Sequence, residues 1–373
     1  MRDYFQRFNV PLEVKGGWNI PSINYDFRTG DAVNVSIPSQ EAVGAALAKY
    51  AAFLTQYPAL DKGLFLPDPV PEDLTMSFSD FALKYGIADI VQTMFFLNQG
   101  IGNLLSAPVV EHARIAGLSL LQQMTSNGFL TSARHNNSEI YGKAQAELLA
   151  ANNLLLSSQV TSSSRTNNGV ELVVQTPTGR KCIRAKKLLI TIPPALESLK
   201  PFDIDAQERR VFSKLVSTGY YALIVNNTGI PDNIVLYNYA SNSAYNLPQL
   251  PGAYQIQPTA VPGLKVIPYA SYASNLTDGQ VIAEVIATIK RLQATNPGQF
   301  NRTEPKIVAF SSHSPFYLQA KPEDIEMGIY ANMYALQGLR STYWSGAAWR
   351  AQDSSVLWKF NEEVVLPMVL EGL

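Results

Sequence analysis

The sequence has 373 residues, of which 46% are hydrophobic and 16% charged, and its formal net charge at pH 7 is −1. That length accommodates two domains or one large one, and the apolar fraction predicts a sizeable core. The near-zero net charge and the lack of any run rich in Lys and Arg argue against nucleic acid as a partner. No apolar run approaches the length of a membrane span.

Cysteine and histidine usage limits the disulfide and metal chemistry. Cys182 is the single cysteine, which excludes an intrachain disulfide and a cysteine-based metal cage. The three histidines, His112, His135 and His313, lie far apart in the sequence, and we therefore expect no structural metal. Cys182 falls in a predicted hairpin, where we expect it to be a small buried hydrophobic side chain.

Five Asn-x-Ser/Thr acceptors bear on the cellular compartment. They begin at Asn34, Asn136, Asn226, Asn275 and Asn301. Five is only slightly above the number expected by chance, so these acceptors are a weak hint of the secretory pathway. The first residues contain no apolar signal-peptide core, and the compartment stays open.

The first third of the chain is predicted to be mainly helical. Residues 1–37 read as extended. Ser39 is a suitable N-cap, and apolar residues recur at spacings of three and four up to about Gln56, which predicts an amphipathic helix. A proline-rich loop at 66–73 leads into further short helices. We interpret residues 1–135 as the first part of a substrate or cap domain.

The pattern then changes to one that favours strands. A helix is predicted at 140–151, and three runs rich in β-branched residues follow it. These runs occupy residues 154–160, 169–176 and 181–192. Pro-Thr-Gly at 177–179 supplies a hairpin turn, and Pro193-Pro194 ends the last strand. We treat residues 136–204 as one unit of a helix followed by strands.

Residues 205–335 predict a further unit of mixed helices and strands. Asp205 and Glu208 form an acidic capping box for a helix to about Leu215. A Tyr-, Asn- and Pro-rich stretch at 218–272 predicts strands and loops. Thr277 and Gln280 then form a capping box for a helix that runs to about Leu292. Further strands are expected at 306–337.

The C-terminal segment 336–373 combines a small-residue turn with a strong helix start. Gly346-Ala347-Ala348 leaves little side-chain bulk, and Asp353 or Ser354 can cap the helix that follows. The first turn of a helix has free N–H groups and the positive end of the helix dipole. A flat ligand that is anionic or bears carbonyl groups could approach the backbone there. The alternative is an ordinary capped helix after a tight loop.

A family resemblance supports the ligand interpretation. SGAAWRAQDSSVLWKFNEEVVLP is similar to the C-terminal flavin fingerprint of the FAD-dependent amine-oxidase-like family, in the fungal branch that includes β-cyclopiazonate dehydrogenase. The segment from LLLSSQV to LLITIPP resembles the middle block of that family. The resemblance implies a mixed α/β fold, in which part of a Rossmann-like FAD-binding domain is interleaved with a substrate or cap domain of mixed sheet and helices. Residues 136–204 and 336–373 would belong to the FAD-binding domain, and residues 1–135 and 205–335 to the substrate domain.

The resemblance also implies a site and a reaction. Gly346 and Ala347 would lie along the ribityl-phosphate chain of FAD, and the backbone of Val160 would meet the adenine. The residues that would face the pyrimidine edge of the flavin ring are Ser354, Ser355, Val356 and Leu357. Tyr343 and Trp344 are candidates for the substrate side. The implied reaction transfers a hydride from a C–H bond of a small molecule, often next to nitrogen, to flavin N5, as in fungal secondary metabolism.

Two features limit what is carried over to this chain. Many amine oxidases have an aromatic residue where this chain has Val356, so the resemblance does not imply a primary amine as substrate. A catalytic base is not assigned, since the cofactor supplies much of the chemistry in such dehydrogenations.

The largest departure from the family concerns the phosphate-binding turn. The family begins with a strand, Gly-x-Gly-x-x-Gly and a helix, and only Gly100-Ile101-Gly102 approaches that pattern, with Leu105 at the third glycine position. We therefore expect that the chain lacks the first βαβ unit, binds FAD weakly or not at all by itself, and has a strand with an unpaired edge. The alternative function is that of a non-catalytic remnant or a small-molecule-binding protein without cofactor.

Overall fold

The computed structural model describes residues 2–14, 20–125 and 128–371. It confirms the expected mixed α/β class. The helices are α1 Arg2–Arg7, α2 Gln40–Leu54, α3 Glu72–Thr75, α4 Phe78–Lys84, α5 Val91–Leu97, α6 Val109–Ile115, α7 Leu118–Thr125, α8 Ser138–Ala150, α9 Ala206–Phe212, α10 Asp278–Thr295, α11 Pro322–Glu326, α12 Ile329–Tyr334, α13 Ser354–Phe360 and α14 Leu366–Leu370.

The strands form a large mixed sheet and three smaller sheets. They are β1 Leu12–Val14, β2 Ser22–Tyr25, β3 Leu130–Ser132, β4 Gln159–Thr166, β5 Gly169–Thr176, β6 Gly179–Ala185, β7 Leu188–Ile190, β8 Val216–Asn226, β9 Val235–Asn238, β10 Gly252–Ala253, β11 Gln255–Pro258, β12 Leu264–Ser271, β13 Lys306–Ser312, β14 Phe316–Gln319 and β15 Thr342–Trp344. The large sheet has the order β13-β8-β12-β11-β9-β2, with β10 on β12 and β14 on β8.

The mainly helical character predicted for the first third is confirmed, except at its start. The Ser39 hydroxyl accepts a hydrogen bond from the backbone N–H of Ala42 and caps α2. Residues 2–7 form helix α1, although an extended start was predicted. Phe5 explains the difference, because it is buried in a small cluster with Val10 and Ile140. Tertiary packing therefore determines the conformation of this short segment.

The substrate sheet is held by one long central strand and one helix. β8 pairs antiparallel with both β12 and β13. The predicted apolar face of α10 is confirmed, since Val281, Val285 and Ile289 are buried against Leu223 and Ile267 of the sheet. The prediction of strands throughout 306–337 is partly wrong: β13 and β14 form, but α11 and α12 follow.

The predicted strand block at 154–192 has different boundaries from those expected. β4 begins at Gln159, and the preceding apolar residues form an exposed turn in which Ser157 has φ of +48°. The run at 181–192 splits into β6 and β7. β6 stays in the antiparallel sheet β4-β5-β6, whereas β7 leaves it to pair in parallel with β15.

The expectation that Cys182 is buried is wrong. Cys182 is exposed and lies in the middle of β6. β6 is an edge strand of its three-stranded sheet, and most of its side chains face solvent. A pattern of apolar residues in a hairpin does not show whether an outer layer covers the sheet, which is why the sequence misled here.

The parallel pair β7 and β15 has an unpaired edge within the described part of the chain. Each strand hydrogen-bonds only to the other in its sheet. Leu189 and Ile192, in or just after β7, are 43% and 40% exposed. The expected unpaired edge and exposed apolar side chains are therefore present beside the C-terminal turn.

The Gly100-Ile101-Gly102 string is not a phosphate-binding turn. It follows helix α5 rather than a strand. Its carbonyl and amide groups are used inside the protein: Thr218 donates to the Gly100 carbonyl at 2.6 Å, and the Gly100 N–H donates to the Tyr254 hydroxyl at 3.0 Å. This confirms that the string only matches the motif by chance.

The proposed domain boundaries at 135/136, 204/205 and 335/336 stay predictions. None of the described helices is both long and apolar enough to cross a lipid bilayer. Among the described residues, no group of three or more His, Cys, Asp or Glu side chains is placed to hold a metal ion.

The capping box of α10 gives a stability prediction. The Thr277 hydroxyl accepts from the Gln280 N–H at 3.3 Å, and the Gln280 side chain accepts from the Thr277 N–H at 2.9 Å. We expect Thr277→Ala to lower the free energy of unfolding by about 1 kcal/mol in urea denaturation, because a helix N–H loses its partner. Thr277→Ser keeps the hydroxyl and is the matched control. Equal losses in both variants would contradict the assignment.

Candidate functional site

The small-residue turn lies where the two parallel strands end. The Ser345 N–H donates to the Ile190 carbonyl at 3.0 Å, which extends the pairing of β7 and β15 by one residue. Gly346 has φ of +107°, and a Cβ atom built there would stand 2.7 Å from the Thr191 carbonyl oxygen. Both the backbone conformation and the close approach of the second strand therefore require glycine at this position.

The turn leads directly into the capped helix that the sequence predicts. The Trp349 N–H donates to the Gly346 carbonyl at 3.0 Å. Asp353 is the N-cap of α13, and its carboxylate accepts from the Ser355 N–H at 2.7 Å. One free amide at the helix start is thus already satisfied, by a side chain that carries negative charge. The positive end of the helix dipole is therefore partly offset by the Asp353 carboxylate.

The predicted residues of the last helix lie close to the turn. The Ser345 hydroxyl donates to the Asn361 side-chain oxygen, which ties the strand end to the helix. Asn361 is six residues beyond Ser355, or about 9 Å along a helix. Ser354 and Ser355 are half-buried, Val356 is buried, and Leu357 packs against the main core. The structure therefore places the end of β15, next to Gly346, beside Asn361 at the C-terminal end of α13.

A buried arginine fixes the backbone of this segment. Arg114, in α6, donates to the Ala347 carbonyl at 2.8 Å and to the Arg350 carbonyl at 3.1 Å. It also donates to the Leu318 carbonyl at 2.7 Å and pairs with Glu111 at 2.7 Å. Although burial alone opposes the charged form, the Glu111 carboxylate raises the pKa of Arg114. The turn is thus held by a permanently charged side chain from the cap.

Two tyrosines complete this buried polar network. The Tyr330 hydroxyl donates to the Glu111 carboxylate. The Tyr334 hydroxyl donates to the Trp349 carbonyl at 2.6 Å and accepts from the Leu64 N–H at 2.9 Å. Burial raises the pKa of Tyr334 to about 12, so its hydroxyl remains a donor at neutral pH. Helix α12 is thereby coupled to the segment through the Trp349 carbonyl.

Arg350 brings a second buried guanidinium to the segment. It is 1% exposed, and it donates to the carbonyls of Arg114 at 2.9 Å and Asp61 at 3.3 Å. It forms no ion pair within the described part of the chain. Burial lowers the pKa of Arg350, which shows the cost of keeping this charge away from water.

Unpartnered polar atoms concentrate in the same segment. Eleven buried side-chain polar atoms lack a hydrogen-bond partner among the described residues, and four of them lie between residues 344 and 352. They are Trp344 Nε1, Trp349 Nε1, Arg350 Nε and Gln352 Oε1. Buried polar groups are normally paired, so such a concentration indicates a missing partner. Three donors and one acceptor fit a heterocycle with carbonyl oxygens and an N–H group, as in the ring of a flavin.

The two candidates for the substrate side lie in different surroundings. Trp344 is fully buried and packs against Phe212 and Trp349, at centroid distances of 4.9 and 6.1 Å. Tyr343 is half-buried, and the Lys187 ammonium lies 5.3 Å from its ring centroid. Their assignment to the substrate side stays a prediction.

Val160 lies at the other end of the cofactor-binding part. It is half-buried near the start of β4, and a β-bulge follows it, because Val160 pairs with Val174 whereas Ser162 pairs with Val173. In the described sheet β4 has one free edge, so backbone groups there can meet a ligand. Val160 precedes Arg165 by five residues in the same strand, so their Cα atoms are about 17 Å apart along it. Its adenine contact stays a prediction.

A second ion network joins β4 to the start of β15. The Arg165 guanidinium is fully buried and binds the two oxygens of Glu208 at 2.8 and 2.7 Å. It also contacts Asp203 at 2.9 Å. Although burial by itself would raise it, the hydrogen bonds from Ser163 and Arg165 lower the pKa of Asp203 to about 2. Arg340 binds the same Asp203 carboxylate, so this network fixes the entry to β15.

None of these buried arginines was predicted from the sequence. Glu111 and Arg114 are spaced i, i+3 in a short helix, which ordinarily indicates a surface ion pair. Arg350 directly follows the recognised turn, and its sequence position gives no signal of burial. The one available signal was Glu208, which was assigned to a capping box; the structure confirms the box and adds the Arg165 contact.

The chain is similar over its whole length to curated oxidoreductases. It is 43% identical over 378 residues to the FAD-dependent oxidoreductase oblC of Cochliobolus heterostrophus, covering 100% of this chain and 78% of the relative. It is 37% identical to the FAD-dependent oxidoreductase pigF of Monascus ruber, covering 100% and 79%. Identity to beta-cyclopiazonate dehydrogenase of Aspergillus oryzae is 30%, with 98% and 78% covered.

Solved structures show the same fold at low identity. A fatty acid isomerase from P. acnes that produces CLA has a TM-score of 0.74 at 16% identity, with 98% of this chain and 83% of that chain covered. Cyclohexylamine oxidase from Brevibacterium oxydans has a TM-score of 0.58 at 10% identity, with 99% and 84% covered. No protein-family model matches the sequence.

The whole-length similarity to these relatives defines a protein of the flavin-dependent oxidoreductase class. The chain belongs to the family of FAD-dependent oxidoreductases that includes beta-cyclopiazonate dehydrogenase. The resemblance inferred from the C-terminal segment and the middle block is confirmed.

Gly346 gives a prediction with a matched control. Gly346→Ala adds a Cβ atom 2.7 Å from a backbone oxygen, at φ of +107°. Gly328 also has positive φ, at +77°, but a Cβ atom there meets nothing within 4 Å. We expect Gly328→Ala to cost roughly 1 kcal/mol from backbone strain alone and Gly346→Ala to cost at least about 2 kcal/mol. Denaturant unfolding measures both, and equal losses would contradict the close strand approach.

The Glu111–Arg114 pair gives a double-mutant prediction. Arg114→Met leaves the Glu111 carboxylate buried without a counter-charge, and we expect a loss of roughly 3–5 kcal/mol in unfolding free energy. Glu111→Gln in the same chain removes that charge and keeps an acceptor for Tyr330. The double variant is therefore expected to be more stable than Arg114→Met alone. A double variant as unstable as the two single losses added together would refute the pairing.

Proposed function

We propose that this chain binds the flavin ring of FAD along the segment from Gly346 to Leu357 and acts as an oxidoreductase on a small organic molecule. The observation that carries the proposal is the group of unpartnered buried polar atoms at 344–352, beside a turn that glycine alone can form. The similarity to FAD-dependent oxidoreductases over the whole chain supports it independently.

The residues of the segment have distinct parts in the proposed site. Gly346 and Ala347 present backbone rather than side-chain bulk, so that the ribityl-phosphate chain can pass close to them. Ser354, Ser355, Val356 and Leu357 begin the helix that faces the pyrimidine edge. Asp353 takes the Ser355 N–H, so the remaining first-turn amides and Arg350 are the donors for developing negative charge.

The substrate is proposed to lie under the cap formed by about residues 40–130 and 205–335. When bound, FAD supplies the hydride-accepting chemistry, and the protein supplies binding, orientation and the exclusion of water. A C–H bond next to nitrogen, or one broken during oxidative ring closure, is the proposed site of oxidation. Val356 offers no aromatic ring to surround an amine, so a primary amine is not the proposed substrate.

The pyrophosphate of FAD has fewer candidate partners among the described residues than the flavin ring has. No glycine-rich turn joins a strand to a helix within residues 2–14, 20–125 and 128–371, and Gly100 and Gly102 are used in internal packing. A helix N-terminus after such a turn is the usual cradle for the pyrophosphate. We therefore propose that this chain, as given, recognises the ring of FAD more than its phosphates and binds FAD weakly.

Flavin titration tests the proposed site. Protein fluorescence or flavin fluorescence is followed as FAD or riboflavin is added to the purified chain. Because the proposed contacts are to the ring, we expect FAD and riboflavin to bind with dissociation constants within about tenfold of each other, or ~1.4 kcal/mol. Gly346→Ala is expected to weaken both, whereas Gly263→Ala, at a glycine with φ of +79° where a Cβ atom meets nothing within 4 Å, leaves both unchanged.

Two outcomes would count against these proposals. Stoichiometric FAD in the purified protein, or FAD binding far tighter than riboflavin, would show a pyrophosphate site and overturn the weak binding. Flavin binding that is insensitive to Gly346→Ala would remove the segment from the site. With flavin bound, anaerobic bleaching of its visible absorption on adding a substrate measures the oxidoreductase activity itself.

A further inference from the structure

A groove between the cap and helix α12 is lined mainly by apolar side chains. Its volume is about 540 Å³, which is in the range of small-molecule sites. Phe65, Tyr330 and Tyr334 line its floor, and Leu66, Val70 and Met327 line its sides. The Met327 side chain is 68% exposed, so an apolar side wall faces solvent. We call this feature the aromatic groove.

The floor of the aromatic groove presents ring surface rather than polar atoms. Phe65 and Tyr334 are stacked, with ring centroids 4.4 Å apart and planes inclined by 27°. The hydroxyls of both tyrosines are engaged away from a ligand, Tyr334 with Trp349 and Leu64 and Tyr330 with Glu111 and Ala320. A molecule in the groove therefore meets satisfied aromatic rings, which favour a flat apolar body.

The charged residues that line the aromatic groove are both acidic. Asp68 and Glu326 line it, and no Lys or Arg side chain is among the lining residues. Glu326 accepts a hydrogen bond from the Thr75 hydroxyl at 3.0 Å, and neither carboxylate forms an ion pair with another described residue. Arg350 lies on the inner side of Tyr334 with both Nη atoms bonded to carbonyls, so it does not reach the groove.

From this combination we propose that the aromatic groove binds a neutral molecule with a flat, conjugated ring system and excludes carboxylates. A ring system gains contact with Phe65 and Tyr334, whereas an anion would meet the carboxylates of Asp68 and Glu326, neither of which forms an ion pair with a described residue. A fatty acid therefore does not fit this groove, although a fatty acid isomerase shares the fold.

The groove also has a structural connection to the proposed cofactor segment. The Tyr334 ring lies 5.9 Å from the Trp349 ring and 6.2 Å from the Phe360 ring of α13. Its hydroxyl holds the Trp349 carbonyl, three residues after Gly346. The identification of the groove's ligand with the molecule to be oxidised rests on the proposed function. The selectivity of the groove for neutral ring systems is independent of that function.

A pair of matched probes tests the groove without any flavin. Naphthalenemethanol and naphthoate share one ring system and differ in charge. Binding to the purified chain is measured by NMR, from the shifts of the methyl signals of Met327, Leu66 and Val70. We expect the alcohol to shift these signals and to bind on the order of tenfold more tightly than the carboxylate, because of the two unpaired acids.

Variants assign the selectivity to particular side chains. The double variant Asp68→Asn and Glu326→Gln keeps size and removes both charges, and it is expected to bring naphthoate to within about twofold of the alcohol. Phe65→Ala is expected to weaken both probes. Leu83→Ala, at a side chain that is 69% exposed and outside the groove, is the control and leaves both unchanged.

The outcomes separate this proposal from the proposed function. Equal binding of both probes to the unmodified chain, or methyl shifts confined to other regions, would overturn the groove's assignment. So would a neutral double variant that still rejects naphthoate. None of these results changes the outcome expected for the flavin titration. Conversely, loss of flavin binding in Gly346→Ala does not change the binding expected for the two probes at Phe65.

Discussion

The arrangement of the whole site depends on the buried pair of Glu111 and Arg114. A guanidinium has five N–H donors in a fixed plane, and Arg114 directs them to one carboxylate and three backbone carbonyls from distant parts of the chain. Those carbonyls belong to Leu318, Ala347 and Arg350. The pair therefore fixes the cap, the substrate sheet and the C-terminal turn relative to one another, which no local sequence preference could do.

The network stiffens the segment before any ligand arrives. Carbonyls at Ala347, Trp349 and Arg350 are each held by a buried side chain. The polar side-chain atoms around them are left unpaired. Backbone groups are thus fixed while side-chain donors stay available, which is the arrangement that a preorganised binding site requires.

The sequence predicted the local elements well and the long-range contacts poorly. The capped helices α2, α10 and α13 were predicted because Ser39, Thr277 and Asp353 act within three residues of the groups they bind. By contrast, Arg114 is 233 residues from Ala347, and nothing in either neighbourhood indicates that they meet. The exposure of Cys182 likewise depends on which layers cover a sheet. Rules that act over a few neighbouring residues cannot predict contacts between distant residues or the layers that cover a sheet. The turn at Gly346 was therefore predicted, whereas the Arg114 contacts that hold it were not.

The charge distribution around the last helix follows from two residues of opposite sign. A helix start is equivalent to about half a positive charge, and the Asp353 carboxylate adds a full negative charge beside it. The uncompensated positive charge of this segment therefore comes from Arg350, since Arg114 is neutralised by Glu111. Because Arg350 is buried, solvent and salt screen it little. If the flavin ring lies along this segment, as we propose, Arg350 supplies more of the positive charge beside it than the helix dipole does.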